Sequence, residues 1–207
     1  MKKIKVIGVV ILILVISVLI FSLWRGFNHS PEESAKIYLD VIFKADKSNI
    51  KKIGINEEDY NVLRKKEEDI LMTQLQNSSL ACVLSNPEKY KHIFLNNIMN
   101  GLSQLKYEVK LVSTSNDTAK ITIKTNYFEL REIIKEGQEK MSEKSKNMIS
   151  MTSDEMISES YKIVEEEFKK GPKEGTDATV TVCMVKKNNV WVPDENFTRD
   201  VCEIILK

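Results

Sequence analysis

The stretch YEVKLVSTSNDTAKITIK at residues 107–124 decides the fold class of this chain. Apolar side chains recur at every second position on both sides of the turn-forming residues 115–117, which is typical of two antiparallel strands joined by a loop. A loop with an odd number of residues pairs Leu111 with Ile121 and keeps the apolar side chains on one face. The sequence therefore predicts a β-hairpin with one buried face and one polar face.

A second hairpin is predicted farther along the chain, in which a two-residue turn at Asn188-Asn189 pairs Val185 with Val192. It carries apolar residues on both faces, whereas helices packed on one side of a sheet bury only one of them. The remaining face is expected to be covered by helices of the 129–170 region, to enclose a pocket, or to await a partner. We take the face that contains Trp191 as the candidate ligand or partner face. Val180, Val182, Met184 and Trp191 form this face, and Cys183, Val185, Val190 and Val192 form the opposite one.

Helical periodicity dominates the rest of the chain. Ser30-Pro31 starts a helix that is predicted to bury one face, formed by the apolar stripe Ala35, Tyr38, Leu39, Ile42 and Ala45. Gly101 is expected at a close contact between helices, and residues 196–206 form a closing helix. The charged runs at 64–69 and 165–167 are interpreted as solvated helix faces. Helices combined with two antiparallel hairpins predict an α+β fold, in which the helices pack on an antiparallel sheet.

The N-terminal region predicts a membrane anchor. Residues 6–24 hold no charge and are long enough, at about 1.5 Å per residue, to cross the roughly 30 Å hydrocarbon core of a bilayer. Three lysines precede this run and Arg25 follows it, so we expect the N-terminus in the cytoplasm and the remainder outside the cell. The predicted domains are an anchor at 1–27 and an extracytoplasmic α+β domain at 28–207. A cleaved secretory signal that ends near Gly26 is the alternative.

Composition excludes several classes of function. Four of the 31 basic residues lie at or beside the anchor, which leaves 27 basic against 30 acidic residues in the remainder. This near-neutral balance gives no electrostatic drive toward nucleic acid. The two histidines, His29 and His92, lie in no zinc-binding pattern, and the seven glycines form no phosphate-binding loop. We therefore expect no metal site, no cofactor and no nucleic-acid partner.

The segments SPEESAKIYLDVIFKAD at 30–46 and VWVPDENF at 190–197 resemble the small NTF2-like or cystatin-like extracytoplasmic α+β domains of Gram-positive bacteria. Such domains occur on membrane-anchored proteins and lipoproteins, and the resemblance covers about residues 30–207. It implies a first helix that precedes a curved antiparallel sheet, and a Trp strand that closes the domain with an acidic turn. The chain lacks the lipidated cysteine of the lipoproteins in this group, and the resemblance carries over no catalytic residue.

The cysteines Cys82, Cys183 and Cys202 make an odd count. Buried free thiols are the simpler interpretation. A Cys183–Cys202 disulfide is the alternative, because the closing helix is expected to fold back on the strand that carries Cys183. Such a bridge would close a loop of about 20 residues and contribute about 3 kcal/mol in the chain-entropy treatment.

These features favour a non-enzymatic domain, tethered to the membrane by one helix, that binds an envelope protein or an apolar ligand. The alternative is an enzyme with an NTF2-like pocket, in which a carboxylate and a tyrosine act as acid and base. A deep pocket with a buried carboxylate would indicate the enzyme, whereas an exposed apolar patch would indicate the interaction domain.

The polar face of the first hairpin carries three lysines, Lys110, Lys120 and Lys124. We interpret them as solubilising residues, with contact to an anionic wall polymer as the alternative.

The topology is testable in intact cells stripped of their wall. If the anchor is retained and residues 26–207 lie outside, added protease digests the domain while a cytoplasmic control protein survives. Protection of the domain would contradict the topology, and a released product that begins near Gly26 would show that the anchor is cleaved.

Overall fold

The computed structural model describes residues 29–78, 87–147 and 151–207, with the side chains of 87–94 and 145–147 excepted. The predicted anchor at 1–27 and Cys82 lie outside the described residues. Within the described ranges, no helix is long and apolar enough to cross a membrane.

Six α-helices and one short 3-10 helix follow the predicted periodicity in the described part of the chain. The helices are α1 (Pro31–Lys44), α2 (Glu57–Asn77), α3 (Pro87–Leu102), α4 (Leu130–Asn147), α5 (Ser153–Lys169) and α6 (Phe197–Ile205), and the 3-10 helix is Ile50–Ile53. Before α1, the side-chain oxygen of Ser30 accepts a hydrogen bond from the Glu33 N–H at 3.1 Å. α5 begins with a complete capping box between Thr152 and Glu155. Side-chain caps therefore fix where these two helices start.

Four strands form one antiparallel sheet in chain order, β1 (Tyr107–Thr114), β2 (Thr118–Thr125), β3 (Ala178–Lys187) and β4 (Val190–Pro193). The predicted registers are confirmed: Leu111 pairs with Ile121 in the first hairpin, and Val185 pairs with Val192 in the second. The turn Asn188-Asn189 has positive φ at both positions, as a type I′ turn requires. In the first hairpin a bulge directly after Leu111 shifts the register before the turn. The α+β class is confirmed.

Helix α1 is a core helix. It packs against β1, β2 and β4 of the sheet and also against α2 and α3. The sequence predicts one buried face, but Ile37 and Val41, which lie off the predicted apolar stripe, are buried as well. A helix that is buried on most of its sides belongs to the interior rather than to the surface.

The hairpin face that contains Trp191 also belongs to the core. Val182, Met184 and Trp191 are at most 7% exposed, and Val180 packs against the same core. α1 covers this face at β4, and α6 covers it at β3. The expectation that a ligand, a partner or helices of the 129–170 region cover these side chains is therefore corrected. The first and last helices of the described domain bury them instead.

The helices inserted between the hairpins are held by a close backbone contact. α4 packs against α5, and α5 packs against α3. A Cβ atom on Gly101 in α3 would lie 2.2 Å from the carbonyl oxygen of Phe168 in α5. No side chain fits at this distance, so the close helix approach predicted at Gly101 is confirmed.

Replacement of Gly101 by alanine forces α3 and α5 apart, because the added methyl group overlaps backbone rather than a mobile side chain. We expect the free energy of unfolding to fall by about 3 kcal/mol. Urea titration of the full chain in detergent, followed by circular dichroism, measures this change.

Gly137 in α4 supplies the matched control. A Cβ atom there would lie 3.4 Å from Ile163 Cγ2, which is an ordinary contact. Gly137→Ala is expected to raise the free energy of unfolding by about 0.5–1 kcal/mol, because alanine favours the helix. Equal effects of the two substitutions would contradict the tight α3–α5 contact.

Candidate functional site

A groove of about 690 Å³ lies between α2 and the segment that leads from β4 into α6. Most of its lining residues are polar or charged, but most of the surface that they expose is carbon, from Val62, Ile70 and the aliphatic parts of the long side chains. Val62 is 68% exposed. An exposed apolar surface bordered by charged side chains is typical of a site of interaction. The lining side chains on which the argument depends are Val62, Lys65, Lys66, Ile70, Glu195 and Arg199.

The cations of the groove are more available to a ligand than its anions. Within the described parts of the chain, Lys65 and Lys66 have no ion-pair partner. Arg199 is paired with a carboxylate on α6 at 3.0 Å, and Asp69 is engaged in an interaction of its own. Glu195 is exposed and lies on the opposite wall. The two lysines therefore give the α2 wall of the groove a positive charge.

Glu67 of α2 is a buried carboxyl group behind this groove. It is 6% exposed, and its Oε2 atom has no hydrogen-bond partner among the described residues. Lys66 and Arg199 line the groove, whereas the residues beside them in sequence, Glu67 and Thr198, are buried. Glu67 therefore lies where α2 packs against α6.

Burial raises the pKa of Glu67 above its ordinary value, because a carboxylate loses its hydration in the core. The Thr198 side chain and the positive charges on α2 lower this pKa, but their effect is smaller than that of burial. The pKa of Tyr38 is raised to about 12, mainly by burial and additionally by the charge of Glu67. The pKa of Cys202 is also raised to about 12, mainly by burial and additionally by the charge of Glu67. These groups form one buried titratable cluster.

The interpretation of residues 64–69 as a solvated face misses Glu67. Arg64 and Glu68 do form the ion pair expected four residues apart, at 2.8 Å. The buried stripe of α2, however, includes Tyr60 and Leu71, and Glu67 falls on it at helical spacing. A charged residue on an apolar stripe is the signal that identifies this position.

The run at 165–167 is also more buried than a solvated face. Burial by itself raises the pKa of Glu167, but hydrogen bonds from Lys140 and Lys170 outweigh it, and the pKa is lowered. The pairs Lys140–Glu167 and Lys170–Glu136 join α4 to the end of α5 beside a cleft of about 320 Å³. Lysines pair with most of the carboxylates that line this cleft. In the described ranges, no group of three or more His, Cys, Asp or Glu side chains is arranged to hold a metal ion.

Glu67 and Tyr38 are the residue types that the enzymatic alternative requires. Both are buried, and the charge of Glu67 acts on Tyr38. Neither residue lines the groove, and neither lines the clefts at α4 and α5. An acid–base group acts only within hydrogen-bonding reach of its substrate, and this pair is not placed to act on a molecule in any of these three cavities.

Cys183 and Cys202 are both free thiols. Alternation along β3 places Cys183 on the face opposite Val182 and Met184, whereas Cys202 of α6 is fully buried on the core side. The sheet itself therefore separates the two side chains. A disulfide between them would require β3 to turn its other face to α6.

The lysines of the first hairpin are mostly neutralised. Lys110 pairs with Glu108 at 2.9 Å, and Lys124 pairs with Asp177 at 2.8 Å, while Lys120 is exposed. This pairing favours the solubilising role over contact with an anionic polymer.

Comparison with known proteins shows the family and the fold. A family model described as "Domain of unknown function (DUF5105)" matches residues 28–202. The fold is similar to the crystal structure of ycdA from Bacillus subtilis, a "putative lipoprotein", with a TM-score of 0.68 and 22% sequence identity. The likeness covers 85% of this chain and 56% of that chain, so this chain spans little more than half of that protein's length. No curated protein sequence matches the chain. The narrower NTF2-like or cystatin-like resemblance stays a prediction.

Thiol labelling distinguishes the two states of the cysteine pair. With Cys82 replaced by serine, we expect a maleimide to label Cys183 in the folded protein and to leave Cys202 unlabelled until the chain unfolds. The reason is that Cys183 is half-buried at the surface, whereas burial raises the pKa of Cys202 to about 12 and suppresses the reactive thiolate. Mass spectrometry of the labelled peptides measures the difference. Absence of label on both thiols in the unfolded, unreduced chain would show a disulfide instead.

Proposed function

The chain belongs to the DUF5105 family, and we propose that it is a membrane-tethered extracytoplasmic domain that binds another envelope protein and is not an enzyme. Two observations support the location. The Bacillus subtilis protein with the similar fold is described as a lipoprotein candidate. The predicted anchor ends at Phe27, only a few residues before α1 begins at Pro31, which would hold the domain close to the membrane.

The proposed binding surface is the groove between α2 and α6, and the proposed occupant is an acidic protein segment that also carries apolar side chains. Val62 and Ile70 favour a ligand that buries apolar surface. Lys65 and Lys66, which have no ion-pair partner among the described residues, favour a ligand that carries negative charge. A segment of protein supplies both features. A charged wall polymer lacks the apolar part, and a neutral apolar ligand lacks the charge.

The separation between the groove and the buried carboxyl group supports binding over catalysis. The accessible cavity is an open groove with an exposed Val62, which is the kind of patch expected of an interaction domain. The carboxyl and tyrosine pair at Glu67 and Tyr38 lies behind its wall and does not line it. In a catalytic site, the groups with shifted pKa values would instead face the cavity that holds the substrate.

Binding to the groove is testable with a fluorescent peptide of alternating Glu and Leu residues and the full chain in nanodiscs of neutral lipid. We expect the double substitution Lys65→Glu and Lys66→Glu to weaken binding about tenfold, which corresponds to about 1.4 kcal/mol, because two attractive charges become repulsive. Added salt should weaken the wild-type interaction in the same direction. Fluorescence anisotropy measures both effects.

The double substitution Lys110→Glu and Lys120→Glu is the matched control, since it makes the same change of charge at two exposed positions on the sheet and should leave the affinity unchanged. A peptide with Lys in place of Glu should not bind. Equal affinity of the double variant and the wild type would contradict the groove as the binding surface. Tighter binding of polyphosphate than of the peptide would identify an anionic polymer as the occupant instead of a protein.

A further inference from the structure

We propose that Glu67 is a proton-binding group that couples the pH of its surroundings to the packing of α2 against α1 and α6, and thereby to the shape of the groove. This inference goes beyond the proposed function. It rests on that function only for its consequence that the affinity for a ligand changes with pH.

The groups that face Glu67 from the neighbouring helices offer it no counter-ion. Glu67 is 6% exposed, and its Oε2 atom has no hydrogen-bond partner among the described residues. Thr198 of α6 hydrogen-bonds with this carboxyl group, and the charge of Glu67 acts on Tyr38 of α1 and on Cys202 of α6. None of these three side chains is a cation in any protonation state. An ionised Glu67 would therefore be a buried negative charge without a positive partner on either helix, which is an unfavourable state.

The cations on α2 itself do not fill this role. The Arg64 guanidinium donates to the Val41 carbonyl oxygen at 3.1 Å and to Glu68 at 2.8 Å. Lys66 is exposed and extends along the wall of the groove. Both lower the pKa of Glu67, but by less than burial raises it. Folding therefore favours the neutral form of this carboxyl group more than the unfolded chain does.

The direction of the pH effect follows from this preference. The folded chain binds the proton of Glu67 more tightly than the unfolded chain, because the pKa is raised above its ordinary value of 4.5. The stabilising effect of the proton is complete below the unfolded pKa and is lost as the pH rises through the folded pKa. Above the folded pKa it does not change further. Packing of α2 is thus tightest at acidic pH.

The same contact shapes the groove. α2 supplies Lys65, Lys66 and Ile70 to one wall, and Arg199 at the start of α6 contributes to the other. Because Glu67 lies where these two helices pack, loss of its proton loosens the attachment of one wall to the other. A ligand in the groove then meets a less ordered site at higher pH.

Hydrogen exchange of the full chain in neutral nanodiscs, without any ligand, tests the coupling from about pH 5 to about pH 8. In the wild type, the protection of α2 amides, corrected for intrinsic exchange, should fall by up to about tenfold per pH unit within the titration of Glu67. In Glu67→Gln, which cannot ionise, the protection should not change with pH. Glu58→Gln alters an exposed carboxylate on the same helix and should behave like the wild type.

Two results would overturn the inference: constant α2 protection in the wild type, or the same fall with pH in Glu67→Gln. A second measurement does not depend on how the variant folds. In the wild type labelled with ¹³C-glutamate, the carboxyl resonance that is absent from Glu67→Gln should titrate above 4.5, and a titration at or below that value would also overturn the inference.

Peptide binding measured in parallel separates this inference from the proposed function. If exchange proves independent of pH while binding still depends on Lys65 and Lys66, the coupling is rejected and the binding groove is retained. If exchange follows Glu67 but the peptide does not bind, the coupling is retained and the proposed occupant is rejected.

Discussion

Burial of α1 on almost every side is the constraint on which the rest of the domain depends. Each of its large core side chains, such as Leu39 and Phe43, contributes about 1.5–3 kcal/mol when it is removed from water. That contribution requires the sheet and the helices α2 and α3 to close around one helix. α2 also satisfies the polar end of α1, because Arg64 donates to two of its last carbonyl groups and the Tyr60 hydroxyl donates to the Ala45 carbonyl at 3.2 Å. The position of α2, and with it the groove, therefore follows from the need to complete this core.

The features that the sequence predicts correctly are those fixed by local rules. The turn at Asn188-Asn189 and the alternation around it determine the register of the second hairpin, because a slip by one residue would exchange its faces. Gly101 marks a close contact because only a missing side chain permits it. Local sequence patterns do not show how many other helices and strands will pack around a given helix. For this reason Ile37 and Val41 of α1 are buried although the sequence predicts only one buried face. For the same reason Trp191 lies in the core: the helices that cover it, α1 and α6, come from opposite ends of the described domain.

In the candidate site too, some features could be predicted from local sequence and others depend on packing between distant segments. Its walls come from α2 and from residues near 195–199, which no sequence pattern connects, so the groove could not be predicted. Two of its cations, Lys65 and Lys66, lie in a charged run that resembles an ordinary solvated face, and both are indeed exposed. Glu67 within that run is the exception, since helical geometry turns it toward the core while its neighbours turn outward. The residue types expected for an enzyme are thus present at Glu67 and Tyr38, but neither side chain lines the groove.

The two edge strands of the sheet limit the ways in which the proposed partner could bind. A partner that adds a strand needs a flat edge with free backbone groups. At β1 the Leu111 N–H already donates to Glu32 Oε1 of α1 at 2.7 Å, and the bulge that follows distorts the strand. At the other edge, β4 is short and ends in Pro193, which has no N–H to donate. Both edges are blunted in ways that natural sheets use to prevent pairing with another chain. In the described part of the domain, recognition through side chains in the α2–α6 groove is therefore favoured over recognition through the backbone of the sheet.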